Sequence, residues 1–219
     1  MELLQFLGQN LDWTLLLEWV QRILAVLLCL TVHETCHGLA AYTLGDPTAK
    51  SGHRLSLNPL RHIDWLGLAS MVFLGFGWAK PVPVDPRYFK NPKRGMALTA
   101  LAGPASNFLL SVVALLLIRP LLDGALGYGD WVVTLVYFLM DVSVLSIGLG
   151  IFNLIPIPPL DGSKVLFALL PDRIYAQILR YERYGFLVLL AIMYFDIGSN
   201  LLTRAIQAVY LALWSVLVG

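Results

Sequence analysis

The sequence predicts an all-α fold, a polytopic bundle of helices that crosses a membrane several times. Two observations carry this. Of 219 residues, 58% are hydrophobic and 13% charged, against about a quarter charged in an ordinary soluble domain. The apolar residues also gather into stretches that reach or approach the roughly 20 residues needed to cross the hydrocarbon core as a helix. One membrane domain over residues 1–219 fits that length. A net charge of +1 argues against a nucleic-acid partner, because phosphate binding relies on a concentrated excess of Lys and Arg.

The N-terminal MELLQFLGQNLD lacks the basic start of a secretory signal and reads as a short amphipathic lead-in. The first span runs from about Leu15 to Leu44, interrupted by His33, Glu34 and His37. Cys29 and Cys36 lie on it, with α-carbons ~10 Å apart along a helix. That separation excludes a disulfide between them. A second span runs from about Ala97 to Ile118 and a third from about Trp131 to Ile155. The apolar stretch from about Tyr184 to Val218 is broken near Asp196 to Asn200 and reads as one kinked helix or two short ones.

The long loop between the first two spans is rich in Lys and Arg, including Lys50, Arg54, Arg61, Lys80 and Arg87, and holds only Asp46, Asp64 and Asp85 as acids. Basic residues near span ends mark the cytoplasmic side. The loop from Pro120 to Asp130 carries two acids and no base, which places it outside. Within the basic loop, WLGLASMVFLGFGW is too short to span. With Gly75, Gly77 and the prolines of KPVPV breaking any long helix, it reads as a re-entrant or interfacial hairpin. Irregular backbone at membrane depth survives only beside protein or a water-filled cavity.

HETCH, residues 33–37, fits the H-E-x-x-H pattern, in which two imidazoles at i and i+4 bind one Zn²⁺ and the Glu serves as general base. On a helix His37 sits ~40° from His33, and Glu34 lies ~60° beyond His37 on the same side. Cys36 falls ~60° to the other flank of His33 and reads as a packing residue. Three ionisable groups in an apolar span are costly, by up to roughly 3 kcal/mol for a charge at the helix centre. A purely structural role must account for that cost.

Catalytic zinc takes three protein ligands and keeps one position open. Asp161 is the favoured third ligand, because it closes FNLIPIPPLDG, where the prolines end the third span and turn the chain toward a cavity. The charge distribution puts this break on the same face as the inner half of the first span. Asp141 lies mid-span and reads as a helix-to-helix hydrogen bond. His53 and His62 read as solvated loop histidines. In ALAGPASN, Ala100, Gly103 and Ser106 form a small-residue surface for close helix approach. Asn107 and Asn153 are placed either to glue helices or to position a substrate carbonyl or oxyanion.

The sequence resembles the site-2 protease family, in particular its short bacterial branch without PDZ or CBS domains. The resemblance covers roughly Leu15 to Pro171 and rests on HETCH, LGDPTAKSGHRLSLNPLRHID, FGWAKPVPVDP, AGPASN and FNLIPIPPLDG in the family's order. It implies that His33, His37 and Asp161 bind one zinc, that Glu34 is the catalytic acid/base, and that the three spans form the catalytic core. It also implies a membrane-protein substrate cut within or near a transmembrane helix, in a bacterial cell membrane with the site toward the cytoplasm. A non-proteolytic zinc-binding membrane protein, such as a metal carrier or a client-binding scaffold, is the competing reading. Such a protein needs the ligands but not Glu34.

Overall fold

A computed structural model describes residues 13–67, 79–124 and 129–219. Its helices are α1 (Trp13–Thr43), α2 (Thr48–Ser51), α3 (Pro92–Gly124), α4 (Asp130–Asn153), α5 (Asp161–Ala168), α6 (Asp172–Tyr194) and α7 (Ser199–Leu217). No strand occurs among the described residues; Ile63 and Ala79 form one isolated antiparallel bridge. The fold is the expected all-α bundle.

Among the described residues, four helical segments are long and apolar enough to cross a membrane: Leu15–Thr43, Pro92–Asp123, Trp131–Asn153 and Ser199–Leu217. The first three match the expected spans. The C-terminal stretch resolves into two helices, α6 and α7, because the chain turns at Gly198 with φ +85°. The lead-in at 1–12 and the hairpin centre at 68–78 lie outside the described residues. The flanks of that hairpin do meet, through the Ile63–Ala79 bridge and a bond from Lys80 N–H to the His62 carbonyl at 2.9 Å.

Helix α3 packs against both α1 and α4, and α7 lies against α4 and α3. Small side chains let the helices approach: Ala25 and Cys29 of α1, Ala114 of α3 and Val142 of α4 form one buried cluster. Hydroxyls and the thiol tie the helices together, with Ser111 Oγ 2.8 Å from Ser143 Oγ and Cys29 Sγ 3.2 Å from Ser146 Oγ. In a membrane such bonds contribute about 0.6–2 kcal/mol each. Both cysteines are free.

Helix α1 stops where the motif LGDP begins. Gly45, at φ +106°, takes the left-handed position that closes a Schellman motif. Asp46 N–H bonds the Ala41 carbonyl at 2.9 Å and Gly45 N–H the Tyr42 carbonyl at 3.1 Å. Buried Asp46 then accepts from Thr48 N–H at 2.9 Å and from Asp85 N–H at 2.7 Å. One carboxylate thus ties both ends of the basic loop together.

His62 departs from the expectation of a solvated loop residue. It is buried, with Nε2 donating to the Ser56 carbonyl at 2.7 Å, beside Thr35, whose hydroxyl donates to that same carbonyl at 3.0 Å. The backbone acceptor recruits His62 as a strut between loop and α1. His53 is exposed, as expected. Asp141 is half-buried in α4, but no described residue bonds it, so the expected helix-to-helix bond is absent among the described residues.

Candidate active site

The polar residues of α1 converge where it meets α3 and α5. His33, His37 and Asp161 are all buried. Asp161 Oδ2 lies 3.2 Å from His33 Nε2 and 3.0 Å from His37 Nε2, and the two Nε2 atoms are 3.0 Å apart. One turn of α1 sets the imidazoles side by side. The proline-rich turn after α4 delivers the carboxylate.

The donor chemistry calls for a cation. His37 Nδ1 donates to the Thr99 carbonyl at 2.7 Å, which leaves Nε2 of the neutral ring as an acceptor. That lone pair faces a carboxylate oxygen at 3.0 Å, and two acceptors this close need a positive centre between them. A His–His–Asp set is a catalytic zinc donor set, three ligands with room for a fourth position. Burial alone would raise the Asp161 carboxyl, but its polar contacts with the imidazoles and the charge of Lys164 hold it well below the usual carboxylate range. It therefore offers an anionic donor atom. His33 Nδ1 is buried without a partner among the described residues.

Backbone features of α3 hold this arrangement. Gly103 faces the imidazoles, and a β-carbon there would lie 2.5 Å from His37 Cε1 and 2.7 Å from His33 Cε1. Pro104 follows inside the helix. It denies the Ala100 carbonyl its helical donor and loosens the preceding turn, the turn that presents the Thr99 carbonyl.

A cavity of ≈ 290 Å³ reaches His37 and Asp161, with Glu34, Asn153 and Lys164 also in its wall. Glu34 Oε2 accepts from Val82 N–H at 3.0 Å. Pro81 and Pro83 flank that donor and have no N–H of their own. They also bias Lys80 and Val82 toward extended backbone. Lys164 Nζ lies 3.7 Å from Asp161 Oδ1. Asn153 is half-buried, and its Nδ2 donates to the Leu149 carbonyl at 3.0 Å. Asn107 is fully buried, does not line this cavity, and leaves both amide atoms unpartnered among the described residues. Cys36 is half-buried and stands outside the trio.

Thr99, Val82 and Lys164 escaped sequence reasoning. The first two act through backbone atoms, which no residue type advertises. Lys164 had a signal in its place three residues after Asp161, one turn along a helix.

Asp161 owes its position to Gly162, whose missing side chain lets α5 start against the Leu154 and Ile155 carbonyls. Backbone cannot yield as a side chain can. Gly162→Ala is therefore expected to displace Asp161 and weaken zinc binding at least about tenfold, the scale for losing a ligand's support. Titration of the purified variant against a chromophoric chelator measures this; wild-type affinity would contradict it.

Helices built to cross a bilayer, enclosing a cation-seeking trio with a free carboxylate beside it, define a class: the membrane-embedded metalloproteases. Comparison with known proteins agrees. The family model described as Peptidase family M50 matches residues 125–195. The chain is 36% identical over 189 residues to "Putative zinc metalloprotease YwhC" of Bacillus subtilis (strain 168), covering 85% of each chain. It is 28% identical over 175 residues to the like-named Rip2 of Mycolicibacterium smegmatis, covering 76% of this chain and 64% of that one. Over 84 residues, 38% of this chain and 22% of the relative, it is 34% identical to zinc metalloprotease MJ0392 of Methanocaldococcus jannaschii. No solved structure shows a significant match. The chain belongs to Peptidase family M50, the site-2 proteases, and is an intramembrane zinc metalloprotease.

Proposed function

We propose that His33, His37 and Asp161 hold one zinc ion per chain and that Glu34 is the catalytic acid/base. The protease acts on membrane proteins within or near their transmembrane helices. The whole chain works as a single domain with its core at about residues 15–171. The observation that carries this is the convergence of the three ligand atoms beside the cavity that contains Glu34. The Lys and Arg of the α1–α3 connection support a site that opens toward the cytoplasm, in a bacterial cell membrane.

Zinc, when bound, supplies the Lewis acidity that activates water and polarises a scissile carbonyl. With one oxygen held by Val82 N–H, Glu34 keeps the other to accept a proton from the attacking water and return it to the departing amine. Asn153 has a second amide hydrogen to offer the substrate carbonyl. Asn107 does not line the cavity, which supports Asn153 as the substrate contact. The edge beside Val82 would receive substrate backbone after local unwinding of its helix, a form of β-addition.

Full-length protein purified without chelator is expected to carry one zinc per chain. In proteoliposomes with a transmembrane substrate, chelation stops cleavage and added Zn²⁺ restores it. Cleavage that persists in verified metal-free protein would sink the reading.

A further inference from the structure

We propose that the connection between α1 and α3 carries a binding site for the phosphate of an acidic lipid headgroup. A cavity of ≈ 560 Å³ opens there, with His53, Arg54, Arg61 and Lys80 in its polar wall and Leu60 and Trp65 in its apolar wall. It shares no lining residue with the catalytic cavity.

Arg54 is the anchor. It is only 9% exposed, and its Nη2 donates to the Lys80 carbonyl at 2.7 Å. Its Nε is buried with no partner among the described residues. A buried charged donor left without an acceptor is costly, so this guanidinium favours an anion beside it. The Lys80 ammonium is paired with no described residue. Arg61 is held at the rim by a bond from Nη1 to the His53 carbonyl at 2.6 Å. Asp64 is the acid in this wall, and its Oδ1 already accepts from Leu66 N–H at 2.9 Å and Gly67 N–H at 3.0 Å. Arg54, Arg61 and Lys80 share the wall with it.

The rim identifies the source of the phosphate. Leu60, Trp65 and Leu66 are 69%, 75% and 76% exposed, in a chain whose neighbouring helices are built to span a bilayer. Tryptophan settles at headgroup level, and basic pockets beside spans bind acidic headgroups. A soluble anion has no use for that apolar rim. The site also touches the chemistry. Arg54 grips the Lys80 carbonyl, and two residues on, Val82 N–H holds Glu34. A bound headgroup thereby braces the segment that positions the catalytic carboxylate.

The test places the full-length protein in phosphatidylcholine nanodiscs containing a trace of fluorescent phosphatidylglycerol. Saturable binding at one site per chain is expected, displaced by unlabelled phosphatidylglycerol but not by phosphatidylcholine or by inorganic phosphate. Lys80→Gln should weaken it about fivefold, the worth of one basic residue near acidic lipid, and Lys80→Gln with Arg61→Gln about 25-fold. Lys80 keeps the test fair, because its side chain is bonded to no described residue. Unchanged binding in the double variant overturns the site. Equal competition by phosphatidylcholine reduces it to apolar contact, and displacement by inorganic phosphate assigns it to a soluble anion; either result overturns the lipid proposal. These readouts are independent of proteolysis. Cleavage is expected to rise with phosphatidylglycerol in wild type and to lose that dependence in Lys80→Gln at unchanged zinc content. Indifference of wild-type cleavage to phosphatidylglycerol would overturn the bracing.

Discussion

Glu34→Gln should lower the single-turnover cleavage rate by about 10²–10⁴-fold, the range for removing a general acid/base, while zinc content stays that of the wild type. The amide matches the carboxylate in size, and its oxygen can still accept from Val82 N–H, as Glu34 does at 3.0 Å. The wall of the cavity therefore survives, and only the capacity to take and return a proton is lost. Glu34 is not in the buried trio that converges on one point, so the ligand set is untouched. Cleavage of a transmembrane substrate in proteoliposomes, with metal analysis of the same preparation, measures both halves. A variant that cleaves at the wild-type rate would remove Glu34 from the mechanism and revive the reading as a carrier or scaffold. Loss of zinc along with activity would show that Glu34 acts on the metal site instead.

The second large effect comes from a residue that performs no chemistry. Gly103→Ala places a methyl group against His37 Nε2, 2.5 Å from His37 Cε1 and 2.7 Å from His33 Cε1. Atoms this close cannot coexist, and the rings have little freedom to retreat. His37 is tied through Nδ1 to the Thr99 carbonyl at 2.7 Å, four residues before Gly103 on the same helix. Either that bond breaks or α1 and α3 move apart. Both outcomes disorganise the ligands. Zinc affinity is expected to fall by at least about 10–100-fold, the scale for disrupting the support of metal ligands, and cleavage with it. Competition with a chromophoric chelator reads the affinity. Leu109→Ala, at a 65% exposed position of the same helix, serves as the control. Wild-type affinity in Gly103→Ala would mean that the helices are not packed this closely around the site.

Much of this molecule is local in origin and therefore legible along the chain. Spans show because crossing hydrocarbon requires an unbroken apolar helix. His33 and His37 face the same way because four residues complete about one turn. The cluster of prolines between Asn153 and Asp161 breaks the helix, so the carboxylate after them leaves the span. Gly45 announces the stop of α1 for the same kind of reason, since the left-handed position is costly for any residue with a β-carbon.

Packing settled matters that no local pattern could. The proline break favoured Asp161 over Asp141, but only the approach of α5 to α3 sets Asp161 within 3.2 Å of the imidazoles. Small residues marked Gly103 as a contact surface without saying that the contact would be the histidines themselves. His62 looked solvated until a backbone carbonyl in the folded loop claimed it at 2.7 Å. Asn107 and Asn153 looked alike as candidates; the fold buries Asn107 and puts Asn153 in the cavity wall. The residues dictate which groups are available and which way each helix presents them. The distances between helices arise from side chains meeting across the bundle, and those distances choose the groups that form the site.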